Sequence, residues 1–223
     1  WGCRFCCWTV PLPSGREETG SNDADAFPIF EKCDRENEDA AQTIEAVHFF
    51  DITADRGEGR WGVTVDTTGV GMQVVRVEPG ALWAHNFCVE ASERIRPNDF
   101  IVAVDGKSET EEMFQAMKRE RLLTVTVCRP QAFTARIRKA AEESLGLDLS
   151  HKEGLSRCIE VVQVVDGAVQ RHNASKPEAA RIRPRDFIEA VNGVSGSADR
   201  LRDKLRFSDE LELRLLRVPG QYL

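Results

Sequence analysis

The sequence predicts a mainly β protein of the α+β class: two consecutive, partly open β-barrels, each with five to six strands and two helices. Three observations predict it. The chain repeats itself, its apolar residues alternate with period two in short runs, and tight-turn dipeptides recur at matching places. Val74-Val75-Arg76-Val77 corresponds to Val161-Val162-Gln163-Val164, Gly80-Ala81 to Gly167-Ala168, and His85-Asn86 to His172-Asn173. The strongest correspondence runs from Arg94 to Gly106 and from Arg181 to Gly193, around Asp-Phe-Ile-x-Ala-Val followed by Asp-Gly or Asn-Gly. All these pairs share one ungapped offset, which chance does not produce. A period in the high eighties is too long for a solenoid unit and fits a small complete domain. The expected division is a head over residues 1–46, a first copy over 47–130, a second over 131–218, and a tail over 219–223.

Each element follows from local signals. A strand-like run, Val47–Ile52 or Phe133–Ile137, opens each copy. A glycine-containing turn then leads into alternating strands, Val63-Thr64-Val65-Asp66 and Leu147-Asp148-Leu149-Ser150, the pattern of a half-buried strand. Third strands are expected at Gln73–Val77 and Ile159–Val165. Short helices follow from Ala81 to His85 and from Ala168 to His172. Asn86 and Asn173 suit the left-handed residue that closes a helix. The strands Phe100–Val104 and Phe187–Val191 end in Asp105-Gly106 and Asn192-Gly193, strong tight-turn signals. Second helices are predicted over Thr110–Arg119 and Ala198–Arg206, with Met113 and Met117 on one face, as are Leu201 and Leu205. Alternating strands, Leu122–Cys128 and Leu211–Leu216, close the copies.

Composition bounds the function. The 223 residues are 41% hydrophobic and 30% charged, ordinary for a globular chain, and no apolar run is long enough for a transmembrane helix. Trp1 to Leu12 lacks the basic start and small-residue cleavage site of a signal peptide. The net charge of −7 is concentrated in residues 1–46, which hold 4 basic and 10 acidic side chains, against 16 basic and 14 acidic in residues 131–223. That balance argues against nucleic acid as a partner and leaves a mild preference for acidic peptides in the second copy. Seven cysteines, three of them crowded at Cys3, Cys6 and Cys7, make no disulfide framework. Cys128, in an apolar run, is expected to be a buried thiol. A reducing, cytoplasmic compartment follows.

This order of elements resembles the PDZ domain over residues 47–130 and 131–218. Ile95–Gly106 and Ile182–Gly193 are similar to the family's leu-x-x-gly-asp-x-ile-leu-x-val-asn-gly stretch, with Asn98 and Arg185 where the family has Gly. Gly80-Ala81 and Gly167-Ala168 resemble its gly-ser-pro-ala. Its carboxylate-binding tetrad, Gly-Leu-Gly-Phe-like, aligns with Arg60-Trp61-Gly62-Val63 and Ser144-Leu145-Gly146-Leu147, of which only Gly62 and Gly146 keep the glycine. The resemblance implies a non-catalytic scaffold or adaptor that binds partners' C-terminal peptides by β-strand addition, without a cofactor or metal. In the first copy the implied site is Arg60, Trp61, Gly62, Val63, Thr64, Val65, Thr110 and Phe114. In the second it is Ser144, Leu145, Gly146, Leu147, Asp148, Leu149, Ala198 and Arg202. Trp61, Val63, Leu145 and Leu147 would hold the terminal side chain. Arg202 would select an acidic residue near the ligand's end, and Phe114 an apolar one.

The residues support the same chemistry independently. A free sheet edge offers unpaired backbone groups to an extended tail, and consecutive N–H groups in a glycine turn make a carboxylate pocket. Other signals are weaker. Gly57-Glu58-Gly59-Arg60-Trp61-Gly62 fits a nucleotide fingerprint, but a strand follows it where a helix is required, so a plain turn is preferred. Cys3-x-x-Cys6 lacks a second pair for zinc. Beside Trp1, Phe5 and Trp8 those cysteines also suit S-acylation and peripheral membrane association. The acidic stretch Ser14–Asp39 favours a disordered head instead. His85 and His172, in the last turn of short helices, read as structural cations at the negative helix end. No nucleophile, metalloprotease or phosphate-loop motif is present. Two other function classes remain: the regulatory PDZ tandem of a larger enzyme such as a protease, and a structural tandem with one groove occluded by the other copy.

Overall fold

The computed structural model describes residues 47–68, 71–140 and 142–219. The expectations for zinc, S-acylation and disorder in the head lie outside them. Two antiparallel sheets organise these residues, and both belong to one compact unit. The first sheet contains β1 (His48–Asp55), β2 (Val63–Asp66), β3 (Met72–Val77), β4 (Phe100–Val104) and β5 (Leu122–Arg129), in the spatial order β1-β5-β4-β3-β2. Helices α1 (Ala81–His85) and α2 (Thr110–Arg119) lie in the β3–β4 and β4–β5 connections. The second sheet contains β6 (Gln131–Arg138), β7 (Leu147–Ser150), β8 (Ile159–Val164), β9 (Asp186–Val191), β10 (Val194–Ser195) and β11 (Glu210–Arg217). Its order is β6-β11-β9-β8-β7, with the short β10 paired to β9. Helices α3 (Ala168–Ala174) and α4 (Ala198–Phe207) occupy the matching connections. Only Pro130 separates β5 from β6, and proline has no N–H to offer a continuing ladder.

Each sheet has its own core. In the first, Ile52, Val74, Ile101, Met113, Leu123 and Val125 are fully or almost fully buried together. In the second, Ile159, Ile188, Leu201, Leu205, Leu211 and Leu213 play that part. Burying one such side chain stabilises by about 1.5–3 kcal/mol, so these two clusters are what make the alternating strands and amphipathic helices cohere. A third cluster forms on the opposite sheet faces: Phe100, Val102, Cys128, Ala132, Cys158, Phe187, Leu216 and Val218. Phe100 and Phe187, equivalent positions of the repeat, meet there with ring centroids 4.9 Å apart. Cys128 is fully buried, as expected, and burial pushes the thiols of Cys128 and Cys158 up to about 12.

Two turns behave as their dipeptides predict. Asp105 (φ 48°) with Gly106 (φ 74°), and Asn192 (φ 50°) with Gly193 (φ 75°), take the left-handed pairs of a type I′ hairpin turn. Asn86 does not. It keeps right-handed helical backbone (φ −59°), and Asn173 lies inside α3. Their side chains explain them instead. The Asn86 carboxamide donates to the Ile95 carbonyl (2.7 Å) and accepts from the Ile95 N–H (2.9 Å). Asn173 does the same with Ile182, at 2.6 and 2.9 Å. Each asparagine thus imitates a strand partner and fastens its helix to the turn before the next strand. The predicted helix-end cation also fails at His172: burial, with Lys176 nearby, holds its imidazole below the ordinary value and so favours the neutral ring.

Candidate peptide groove

β2 and β7 each lie at one edge of their sheet, laddered to one neighbour, β3 or β8. Each begins directly after a glycine in left-handed backbone, Gly62 (φ 77°) or Gly146 (φ 78°). The glycines are required by contact as well as by φ. A Cβ on Gly146 would stand 2.7 Å from the Val165 carbonyl oxygen and 3.0 Å from the Gly167 backbone, and one on Gly80 would lie 2.5 Å from the Gly62 nitrogen. The turn before the edge strand is therefore pressed against the residue that starts the short helix.

That contact orients the loop. The carbonyls of Arg60, Trp61 and Gly62 accept from the N–H groups of Ala81 (3.0 Å), Leu82 (2.9 Å) and Glu78 (2.8 Å). In the second copy Ser144, Leu145 and Gly146 accept from Ala168, Val169 and Val165, each at 3.0 Å. Every peptide bond among the described residues is trans, so the N–H of the same peptide unit points the opposite way. The N–H groups of Trp61, Gly62 and Val63, and of Leu145, Gly146 and Leu147, are thereby turned away from the short helix. Successive N–H groups on one side of a turn form an anion cradle.

The long helix shares its core with the edge strand. Val63 and Val65 pack against the cluster that holds Met113, Ala116 and Met117 of α2. Leu145, Leu147 and Leu149 pack against the one that holds Leu201 and Leu205 of α4. Thr64 is half-buried, whereas Asp148 is exposed. Thr110 is half-buried at the start of α2, and Phe114, one turn on, is 38% exposed with Lys118 Nζ 4.2 Å above its ring. Arg202 is exposed on α4, and Asp199 is engaged by the Gly154 N–H (3.1 Å) and by His151 (3.2 Å).

Three expected site residues stand differently. Ala198 is fully buried with Leu201 and Leu205, because positions i, i+3 and i+7 share one helix face. It is a core residue, not a groove wall. The Arg60 guanidinium donates to the Pro79 carbonyl (2.8 Å), on the short-helix side of the loop. Trp61 is only 8% exposed, and its indole N–H donates to the Met117 carbonyl at 2.6 Å. Sequence reasoning also missed the bond of His151 to Asp199, which joins the end of β7 to the start of α4; the signal was a histidine directly after the strand. No group of His, Cys, Asp and Glu among the described residues is arranged to hold a metal ion, and no helix among them is long and apolar enough to cross a membrane.

No known family profile matches the sequence, and no curated protein does. Among solved structures, it is similar to the complex of INAD PDZ45 with NORPA CC-PBM, at 19% identity over 76% of this chain and 91% of that one, with a TM-score of 0.31. It is also similar to INAD PDZ45 in complex with NG2 peptide, at 20% identity over 76% and 89%, again with a TM-score of 0.31. Superpositions this loose carry no functional argument, which rests on the geometry above.

Proposed function

We propose that this chain is a non-catalytic, PDZ-like peptide-binding scaffold, with one domain over residues 47–130 and a second over 131–218. A partner's extended C-terminal segment adds as a further strand to β2 or β7, and its carboxylate enters the cradle at Gly62 or Gly146. The observation that carries the reading is the edge strand that starts at a glycine turn whose carbonyls are all engaged by backbone N–H groups, two from the short helix and one from the residue after β3 or β8. Such an edge supplies backbone affinity along its length, and the cradle supplies a fixed end point. Val63 and Val65 or Leu147 and Leu149 offer apolar contact for alternate ligand side chains. Phe114 favours an apolar ligand residue in the first copy, and Arg202 an acidic one in the second. The thiols of Cys128 and Cys158, raised to about 12, are inert at neutral pH, which suits a binding module placed in the cytoplasm.

The test is an array of peptides presented with free or amidated C-termini. Charge-assisted hydrogen bonds contribute roughly 1.5–3 kcal/mol, so amidation is expected to weaken binding about 10- to 100-fold. Equal binding of the two forms refutes the carboxylate cradle. In the second copy, a ligand Glu exchanged for Gln is expected to lose about five-fold, or roughly 1 kcal/mol, at low salt, and that difference is expected to vanish in Arg202→Gln.

A further inference from the structure

The two cradles are not equally open. In the first copy the loop is fastened to the last turn of α2 at several points. The Trp61 indole N–H donates to the Met117 carbonyl at 2.6 Å. Arg56, five residues earlier, donates to the carbonyls of Glu120 (2.9 Å), Lys118 (3.3 Å) and Gly59 (3.1 Å), with its guanidinium 5.9 Å from the Trp61 ring centre. The Arg56 N–H also donates to the Arg121 carbonyl at 2.9 Å. These helix-end carbonyls have no partner inside the helix, and a cation is favoured at that end. The latch is thus a satisfied set of bonds holding the tryptophan between the turn and α2.

Among the described residues the second copy has no counterpart. Leu145 stands where Trp61 does, and Ala140 where Arg56 does, counting five residues back from each. Leu145 is half-buried and has no side-chain donor. Its neighbours face the other way: Ser144 Oγ donates to the Asp166 carbonyl (3.0 Å), and Glu143 pairs with Arg171 of α3 (2.8 Å).

We infer that Trp61 is a built-in plug that closes the terminal pocket of the first groove, so that only the second accepts a chain end, one with an apolar last residue to meet Leu145 and Leu147. The inference rests on the peptide-binding reading above and narrows it, for a free chain end, to the groove at Gly146. A chain end at Gly62 would have to displace an indole that is 8% exposed and hydrogen-bonded. At Gly146 the corresponding side chain is the half-buried Leu145, which has no donor to tie it to α4.

The experiment uses the full chain, labelled for amide spectra. The probe is a degenerate heptapeptide mixture ending in Val or Leu with a free carboxylate, and its amidated form is the control. The free-acid mixture is expected to shift the Gly146 amide and leave Gly62 and the Trp61 indole unmoved. In Trp61→Leu it is expected to shift both glycines. A shift at Gly62 or the Trp61 indole in the unaltered chain overturns the plug while leaving peptide binding intact. No shift at either glycine in either protein overturns the peptide-binding reading and this assignment with it. Trp61→Leu removes a buried ring, so a second measurement stands on the unaltered protein alone. The Trp61 indole proton is expected to exchange with solvent at least about ten-fold more slowly than that of Trp83, which is 39% exposed, since a closed buried bond exchanges only on opening. Equal rates overturn the plug.

Discussion

Glycines 62 and 146 show how one missing methyl shapes a turn. Gly146 combines left-handed backbone with a backbone contact that a Cβ would violate, to Val165 and Gly167. Gly146→Ala is expected to lower the unfolding free energy by about 2–4 kcal/mol in urea titrations, because the conformational penalty and the clash add. The reverse case is Arg185, a non-glycine at φ 71° whose N–H bonds the Val161 carbonyl (2.7 Å). Arg185→Gly keeps that bond and relieves the strained backbone. It is expected to stabilise by about 0.5–1 kcal/mol, the left-handed penalty less the greater chain entropy of glycine. Asn98 has the same backbone (φ 74°), but its side chain donates to Glu189 (2.8 Å), and asparagine tolerates this region. Asn98→Gly is therefore expected to bring no gain in the same titration.

At the scale of elements, the last strand of each copy is locked to the turn before the central strand by a buried fork. Arg129 donates twice to Asp99, at 3.0 Å each, and to the Ser92 and Arg94 carbonyls, both at 2.6 Å. Arg217 repeats the pattern on Asp186 (2.7 and 2.6 Å) and on the carbonyls of Ala179 (2.8 Å) and Arg181 (2.6 Å). Burial pushes both carboxyls above their ordinary value even though the guanidinium pulls them down, so desolvation outweighs the pairing. Removing one partner leaves the other charged and buried. Asp186→Ala is expected to cost about 3–5 kcal/mol, and the double change Asp186→Leu with Arg217→Met far less. Denaturant midpoints of the single and double variants check this; equal losses would show that the fork contributes net stability.

For the whole molecule, the join between the sheets is polar as well as apolar. Ser156 Oγ donates to Asp66 at the end of β2 and accepts from the Lys152 N–H (2.7 Å), while the Ser156 carbonyl accepts from the Ala198 N–H at the start of α4 (3.0 Å). One serine thus ties an edge strand of the first sheet to α4 of the second. Burial pushes Asp66 up, but bonds from Ser156 and Thr68 outweigh it, and its carboxyl lies below the ordinary value. A lowered folded value means that this stabilisation is present above the unfolded carboxylate value of about 4 and is lost as pH falls through the folded one. Ser156→Ala is expected to cost about 1–3 kcal/mol at neutral pH and to raise the midpoint of acid unfolding toward pH 4. An unchanged acid midpoint would mean that Asp66 is held by Thr68 alone.

The sequence by itself determined what is written within a few residues. β2, β7, α1, α2 and β4 occupy their predicted spans, because period, apolar face and turn dipeptide are local properties. The left-handed glycine turns at Gly62 and Gly146 were legible for the same reason. Asn86 was misread because its best partner, the Ile95 backbone, lies nine residues away and no local pattern announces it. Ala198 was misread because a small residue at a helix start suits a groove or a core equally until its neighbours are placed. Only the tertiary structure decided which way Trp61 turns, since its partner Met117 is 56 residues off. It alone brought Arg129 to Asp99, and Phe100 to its counterpart Phe187 across the sheets. Those outcomes depend on packing between distant segments, where a side chain's character is known from sequence but its company is not.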